Sequence, residues 1–216
     1  MPEDLRLYLA PNFYVDSDHP AVINFAEQHR GGGAPREQMV RLYYVIRDGW
    51  RYNPWRVILK PEAFKASAVV TRQPEEGAHC IDKANLLAAA ARVCGVPSRL
   101  HYANVRNHIG TERLEQALQT DLLVYHGYTG LFIEGRWVAA TPAFNRELCE
   151  HLGVDALEFD GKSDSIFQQF DRSGGRFMDY VTDHGHSAEI PFDDMVAAWK
   201  RHYPEVRELG AWPWAT

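Results

Sequence analysis

Residues 77–97 read "GAHCIDKANLLAAAARVCGVP", and the way this stretch folds decides the architecture. From Cys80 to Cys94 almost every residue is a strong helix former, and Gly95 and Pro97 stop the run. The alanines at 88–91 let neighbouring backbone approach closely, so this helix is expected to lie buried at the centre of the fold. Cys80 then sits at a helix start, where free N–H groups and the helix dipole favour the thiolate. The same N–H groups, that of Cys80 itself included, can receive an oxyanion that develops on an attacked carbonyl.

Working outward, "SRLHYANV" (98–105) has extended character, and "DLLVYHGYTGLFIEGRWVAATPAFN" (121–145) holds two apolar runs around Glu134-Gly135. That pattern reads as a β-hairpin. Upstream, the apolar spacing of Met39, Val40, Tyr43, Tyr44 and Ile46 marks a helix over Arg36–Asp48, preceded by the loop "GGGAP" and stopped at Gly49. A central helix followed by antiparallel strands is an α+β pattern rather than alternating βαβ. Residues 146–216 show no sustained period except a helix in "IPFDDMVAAWKRHYPEV", with Asp193 or Asp194 near its start. With no linker composition before them, they are read as an extension packed on a single domain spanning 1–216, whose core covers about 36–145.

The hairpin supplies a base for Cys80. A turn at Glu134-Gly135 sets His126 opposite Ala143, with Thr141 and Asn145 as its diagonal neighbours on the same face. A hydroxyl or a carboxamide there can accept from an imidazole N–H and orient it. Pro142 cannot donate to the ladder, so pairing is expected to weaken near it, which favours Thr141 over Asn145. Tyr52, Asn53 and Trp55, in the loop after the first helix, and His79 beside the cysteine are candidates to line the cleft. A protonated His79 would lower the Cys80 pKa, whereas Asp82 pointing at the thiol would raise it.

The blocks "CIDKANLLAAAARVCGVPSRL" and "HGYTGLFIEGRWVAATP" together resemble the transglutaminase-like superfamily of cysteine enzymes. That superfamily places Cys at a helix start, then a Gly-[IV]-Pro-x-Arg strand, then His and a Gly-x-Trp turn before Asp-Pro. "VRNH" (105–108), "TPAFN" (141–145) and "EFDGKSD" (158–164) are similar to a bacterial branch of it. The resemblance implies a papain-like α+β fold and acyl transfer by a Cys-His-Asp triad, with Cys80 as nucleophile, His126 as base, and no cofactor. It also implies a peptide or protein amide as substrate. This chain departs from the pattern at Thr141, where the superfamily has Asp, and at Gly130, where related sequences often have Glu. Asn145 is the alternative orienter.

Other readings stand beside this one. A degenerate, non-catalytic module could bind peptides in the same cleft. A metal-dependent hydrolase could use "HGH" (184–186) with Asp183, although adjacent His79 and Cys80 are poorly spaced to chelate one ion. Cys94 and Cys149 are read as core thiols. A net charge of −6 gives no reason to expect nucleic acid or an anionic membrane as a partner. No run reaches the roughly 18 apolar residues that a membrane helix needs. Acids at the N-terminus and an odd count of three cysteines lead to the expectation of a cytoplasmic protein with free thiols.

Overall fold

The computed structural model describes residues 4–107, 112–166, 172–175 and 178–209. In chain order its elements are α1 (Pro20–Arg30), α2 (Pro35–Gly49), α3 (Ala66–Val70), α4 (Cys80–Val93), β1 (Ser98–Asn107) and α5 (Glu112–Leu118). They are followed by β2 (Leu122–Ile133), β3 (Arg136–Ala140), α6 (Arg146–Leu152), β4 (Met178–Ser187), α7 (Phe192–His202) and α8 (Pro204–Leu209). The strands form one antiparallel sheet in the order β3-β2-β1-β4. The α+β arrangement expected from the sequence is therefore present. His108, the last residue of "VRNH", lies outside the described residues.

Helix α4 is central, as its alanines predict. Every residue from Ile81 to Arg92 is buried. It lies across β2 on one side, and α1, α2 and α3 cover the other. Two hydroxyls tie the helix to the sheet: Thr129 Oγ1 donates to the Ala84 carbonyl at 2.8 Å, and Ser98 Oγ donates to the Ala88 carbonyl at 2.8 Å. At the start of α4 the approach to β2 is closer still. A Cβ at Gly127 would stand 3.2 Å from Ile81 Cα, tighter than ordinary packing allows, so glycine there sets the helix-to-strand distance.

The predicted hairpin forms with the expected register, Ile133 opposite Arg136 and Thr129 opposite Ala140. Beyond Ala140 the pairing ends. Thr141 turns instead to Ser165, whose carbonyl accepts from the Thr141 N–H at 2.9 Å, just ahead of Pro142. Strand β4 had no alternating signal in the sequence, because its middle is exposed along both faces at the sheet edge.

Among the described residues three basic side chains are buried in the helical layer: Arg47, Lys83 and Arg92. Lys83 is fully buried, and its Nζ donates to the Arg47 carbonyl at 2.8 Å in the last turn of α2. Burial pushes its pKa down to about 7. The unfolded chain holds this proton up to about pH 10.5, whereas the folded chain releases it near 7, so this group's contribution makes stability rise with pH across that window. Lys83→Met is thus expected to unfold at a higher temperature than the parent at pH 7. The advantage should shrink steadily toward pH 10.5, and paired thermal melts at several pH values would show it. A gap that does not change with pH would rule out a lysine held near-neutral in the core.

Candidate active site

The turn into α4 is built by its own residues. His79 caps the helix: its Nδ1 accepts from the Asp82 N–H at 3.2 Å, and Asp82 Oδ2 accepts from the His79 N–H at 3.2 Å. Asp82 also forms a buried ion pair with Arg72, so its carboxylate is held by a cation instead of pointing at the thiol unopposed. His79 is consumed as a cap, and burial lowers its pKa, which keeps it neutral near pH 7. In that neutral state it does not supply the positive charge that would lower the Cys80 pKa.

Cys80 keeps part of its surface open but is surrounded by protein. Desolvation pushes its thiol up to about 11, and the charge of Asp82 adds to this. Backbone N–H groups of Gly127, Ile81 and Cys80 pull the other way and do not win. The resting side chain is therefore a neutral thiol, a correction to the thiolate expected from the helix dipole alone. The dipole is worth a fraction of the cost of burying a charge.

His126 is 4% exposed, and neither ring nitrogen has a hydrogen-bond partner among the described residues. Burial pushes its pKa down to about 4, so the imidazole is neutral with a lone pair available. The orienting bond expected from Thr141 or Asn145 is not formed. Thr141 Oγ1 is buried without a partner, because the chain leaves β2 at that point. Asn145 precedes α6, and its Oδ1 accepts from the Tyr52 N–H at 3.0 Å.

Cys80 and His126 nevertheless line one cavity, together with Tyr52, Pro54, Val57, His79, Ile81, Leu118, Leu123, Val124, Tyr125, Trp199 and Tyr203. Its space for water-sized occupants is about 50 Å³. Of the four cleft residues named from the sequence, Tyr52 and His79 line it. Asn53 and Trp55 do not: Asn53 Nδ2 donates to the Glu76 carbonyl at 2.9 Å, and its Oδ1 accepts from the Trp55 N–H at 3.0 Å.

Sequence reasoning missed the wall made by the C-terminal part of the chain. Between Ala103 opposite His126 and Val105 opposite Leu123, β2 carries one residue more than β1, and Tyr125 takes a left-handed φ of 60°. This bulge would leave backbone groups unpaired beside the base. They are taken up by side chains: Tyr203 Oη accepts from the Val124 N–H at 2.7 Å, Trp199 Nε1 donates to the Val124 carbonyl at 2.8 Å, and Asn104 Oδ1 accepts from the Tyr125 N–H at 3.0 Å. The one available signal was the Trp-x-x-x-Tyr spacing of 199 and 203, which puts both rings on one face of the chain's last long helical run.

The His-rich stretch goes elsewhere. His184 stacks on Tyr125 and lies 2.8 Å from Asn104 Oδ1, and Asp183 accepts from the Gly185 N–H. Among the described residues no three His, Cys, Asp or Glu side chains come together as a metal site, and no helix is long and apolar enough to cross a membrane.

No curated protein matches the chain. A solved structure from Cytophaga hutchinsonii, described provisionally as a cysteine protease, aligns over 87% of this chain and 55% of its own length, with 14% identity and a TM-score of 0.48. The chain thus spans about half the length of that protein. The family model of the transglutaminase-like superfamily matches residues 23–142, from α1 through the end of the hairpin, with Cys80 and His126 inside the match. Since that match covers more than half of the molecule, the chain belongs to the transglutaminase-like superfamily.

Proposed function

We propose that the protein transfers acyl groups from an amide or ester through Cys80, with His126 as the general base, and that water is the usual acceptor. The observation that carries this reading is the shared cavity: a cysteine at the first position of a helix faces the same space as a buried histidine whose nitrogens are uncommitted. His126 takes the thiol proton as sulfur attacks the carbonyl, giving a thioester, and then passes that proton to the leaving group. The N–H groups of Cys80 and Ile81, at the free end of α4, are placed to receive the oxyanion. Because both partners start neutral, proton transfer accompanies attack instead of preceding it. Nothing in the chain resembles the calcium loops of crosslinking enzymes, which favours hydrolysis over transamidation.

The alternative of a peptide-binding module without catalysis is favoured by one observation, the absence of a hydrogen-bonded third group behind His126. Alkylation by iodoacetamide, followed against pH by mass spectrometry at Cys80, separates the two. The free thiol should react slowly at pH 7, and the rate should climb about tenfold per unit toward pH 11. An ester substrate should acylate Cys80 at pH 7 far faster than this, and Cys80→Ala should abolish the adduct. Cys80 left unacylated by esters and amides alike would leave the binding module as the surviving reading.

A further inference from the structure

We propose that the cavity selects an acyl group whose chain beside the carbonyl is short, apolar and uncharged. This deepens the acyl-transfer reading above and rests on it. Beyond the reacting pair, the walls include the apolar surfaces of Val57, Leu118, Leu123, Val124, Trp199 and Tyr203. Among the described residues that line it there is no Asp, Glu, Lys or Arg. Of the aromatic side chains that line it, Trp199 and Tyr203 turn their polar tips to the strand, where Trp199 Nε1 and Tyr203 Oη are both engaged by the backbone of Val124 and Tyr203 also donates to the Leu122 carbonyl at 3.2 Å; Tyr52 and Tyr125 add two uncharged phenols. What remains for an occupant is mostly carbon, with the uncharged polar groups of Tyr52, Tyr125 and His79.

Two consequences follow for the acyl chain. A carboxylate or ammonium inside this wall would lose its hydration without gaining a partner, so a charged chain should be rejected at least a hundredfold. Each methylene that is buried should gain about fourfold until the space is filled. Benzene fills a cavity of about 150 Å³. The space of about 50 Å³ beside Cys80 is smaller and opens on one side to solvent, so it covers a chain of about two to four carbons, on the order of acetyl to butyryl or the side chain of a small aliphatic residue, and a longer chain gains nothing from its exposed end. In the step itself, Sγ of Cys80 bonds to the acyl carbon while the thiol proton passes to His126. The bond from that carbon to the leaving oxygen breaks, and the proton is delivered to the departing alcohol.

The test uses four 4-nitrophenyl esters, acetate, butyrate, octanoate and monosuccinate, with the whole protein and with Cys80→Ala as background. Nitrophenol release and the mass of the adduct on Cys80 are both read, and each rate is divided by that of free cysteine with the same ester. Butyrate should exceed octanoate at least tenfold and monosuccinate at least a hundredfold. Val57→Ala, which trims the wall without touching the reacting pair, should narrow the gap between butyrate and octanoate. Similar normalised rates for all four esters at Cys80 would overturn the selectivity and leave acyl transfer intact. A Val57→Ala preference identical to the parent's would also overturn it. If no ester acylates Cys80, both readings fall.

Discussion

His126→Ala is expected to slow acylation of Cys80 by about 10²–10⁴-fold at pH 7, the usual contribution of a positioned base. The reason is visible in the resting state of the pair. Burial holds the thiol up near 11, so at neutral pH a vanishing fraction is ionised without help. Among the described residues that line the cavity, His126 is the one with buried, uncommitted nitrogens. The sign of the pH dependence follows from burial as well. Because the imidazole is pushed down to about 4, parent activity should persist through pH 5 and fail only as the base protonates near pH 4. The variant should instead depend on hydroxide, its rate rising toward pH 11. Single-turnover acylation measured from pH 3.5 to 10 checks both limbs. A variant within tenfold of the parent at pH 7 would remove His126 from the mechanism.

The second large effect concerns stability. Arg92, near the end of α4, is 5% exposed and donates to four acceptors: Ser98 Oγ at 3.2 Å, the Ser98 carbonyl at 3.0 Å, and the carbonyls of Ala10 and Ala188, each at 2.6 Å. It joins the N-terminal segment, β1 and the approach to α7 through one guanidinium whose planar fork no other side chain reproduces. Arg92→Leu keeps the volume roughly but removes all four bonds: the buried Ser98 hydroxyl and carbonyl lose this donor at about 1–3 kcal/mol each, the half-buried Ala188 carbonyl keeps only Asn12 Nδ2, and the Ala10 carbonyl turns to solvent. A total loss of about 3–5 kcal/mol is expected, or a melting temperature lower by about 10 °C for a chain of this size. Urea unfolding measures the first and calorimetry the second. Arg92→Lys should recover only part, since one ammonium cannot span all four acceptors. A loss below about 1 kcal/mol for the leucine variant would mean that water replaces the arginine at these carbonyls.

Much of the frame could be read from residue patterns because it depends on local rules. The alanines of α4 announced a buried helix, Gly95 its end, and Glu134-Gly135 a hairpin whose register then followed by counting. The failures share a cause, which is competition from distant parts of the chain. Counting outward from the turn placed Thr141 beside His126, but Pro142 ended the ladder and Ser165 captured the strand. Asn145 was available to the histidine by register, yet the Tyr52 N–H claimed it. The left-handed Tyr125 could not be foreseen, since a tyrosine is an unfavourable residue for that conformation and its surroundings come from distant parts of the chain: Asn104 bonds its N–H, His184 stacks on its ring, and Trp199 and Tyr203 bond the neighbouring Val124. The charge state of Cys80 was misjudged for a related reason: a helix start is visible in a sequence, but the surrounding protein that desolvates it is not.

The clamp on the bulge joins two stretches of chain with different tasks. Cys80 and His126 lie within the segment that the family shares, whereas Trp199 and Tyr203 lie well beyond its end at residue 142. If Cys80 and His126 react as proposed, the reacting atoms and the wall that faces the occupant can therefore diverge separately. Substitutions along the inner face of α7 would retune what enters while the cysteine, its helix and the hairpin stay as they are. Such changes have a limit, because the same two rings satisfy the backbone next to the base. A smaller residue at 199 or 203 would widen the choice of substrate and loosen His126 in one stroke. On the acyl-transfer reading proposed above, breadth of substrate and speed of reaction would trade against each other through two hydrogen bonds on one valine.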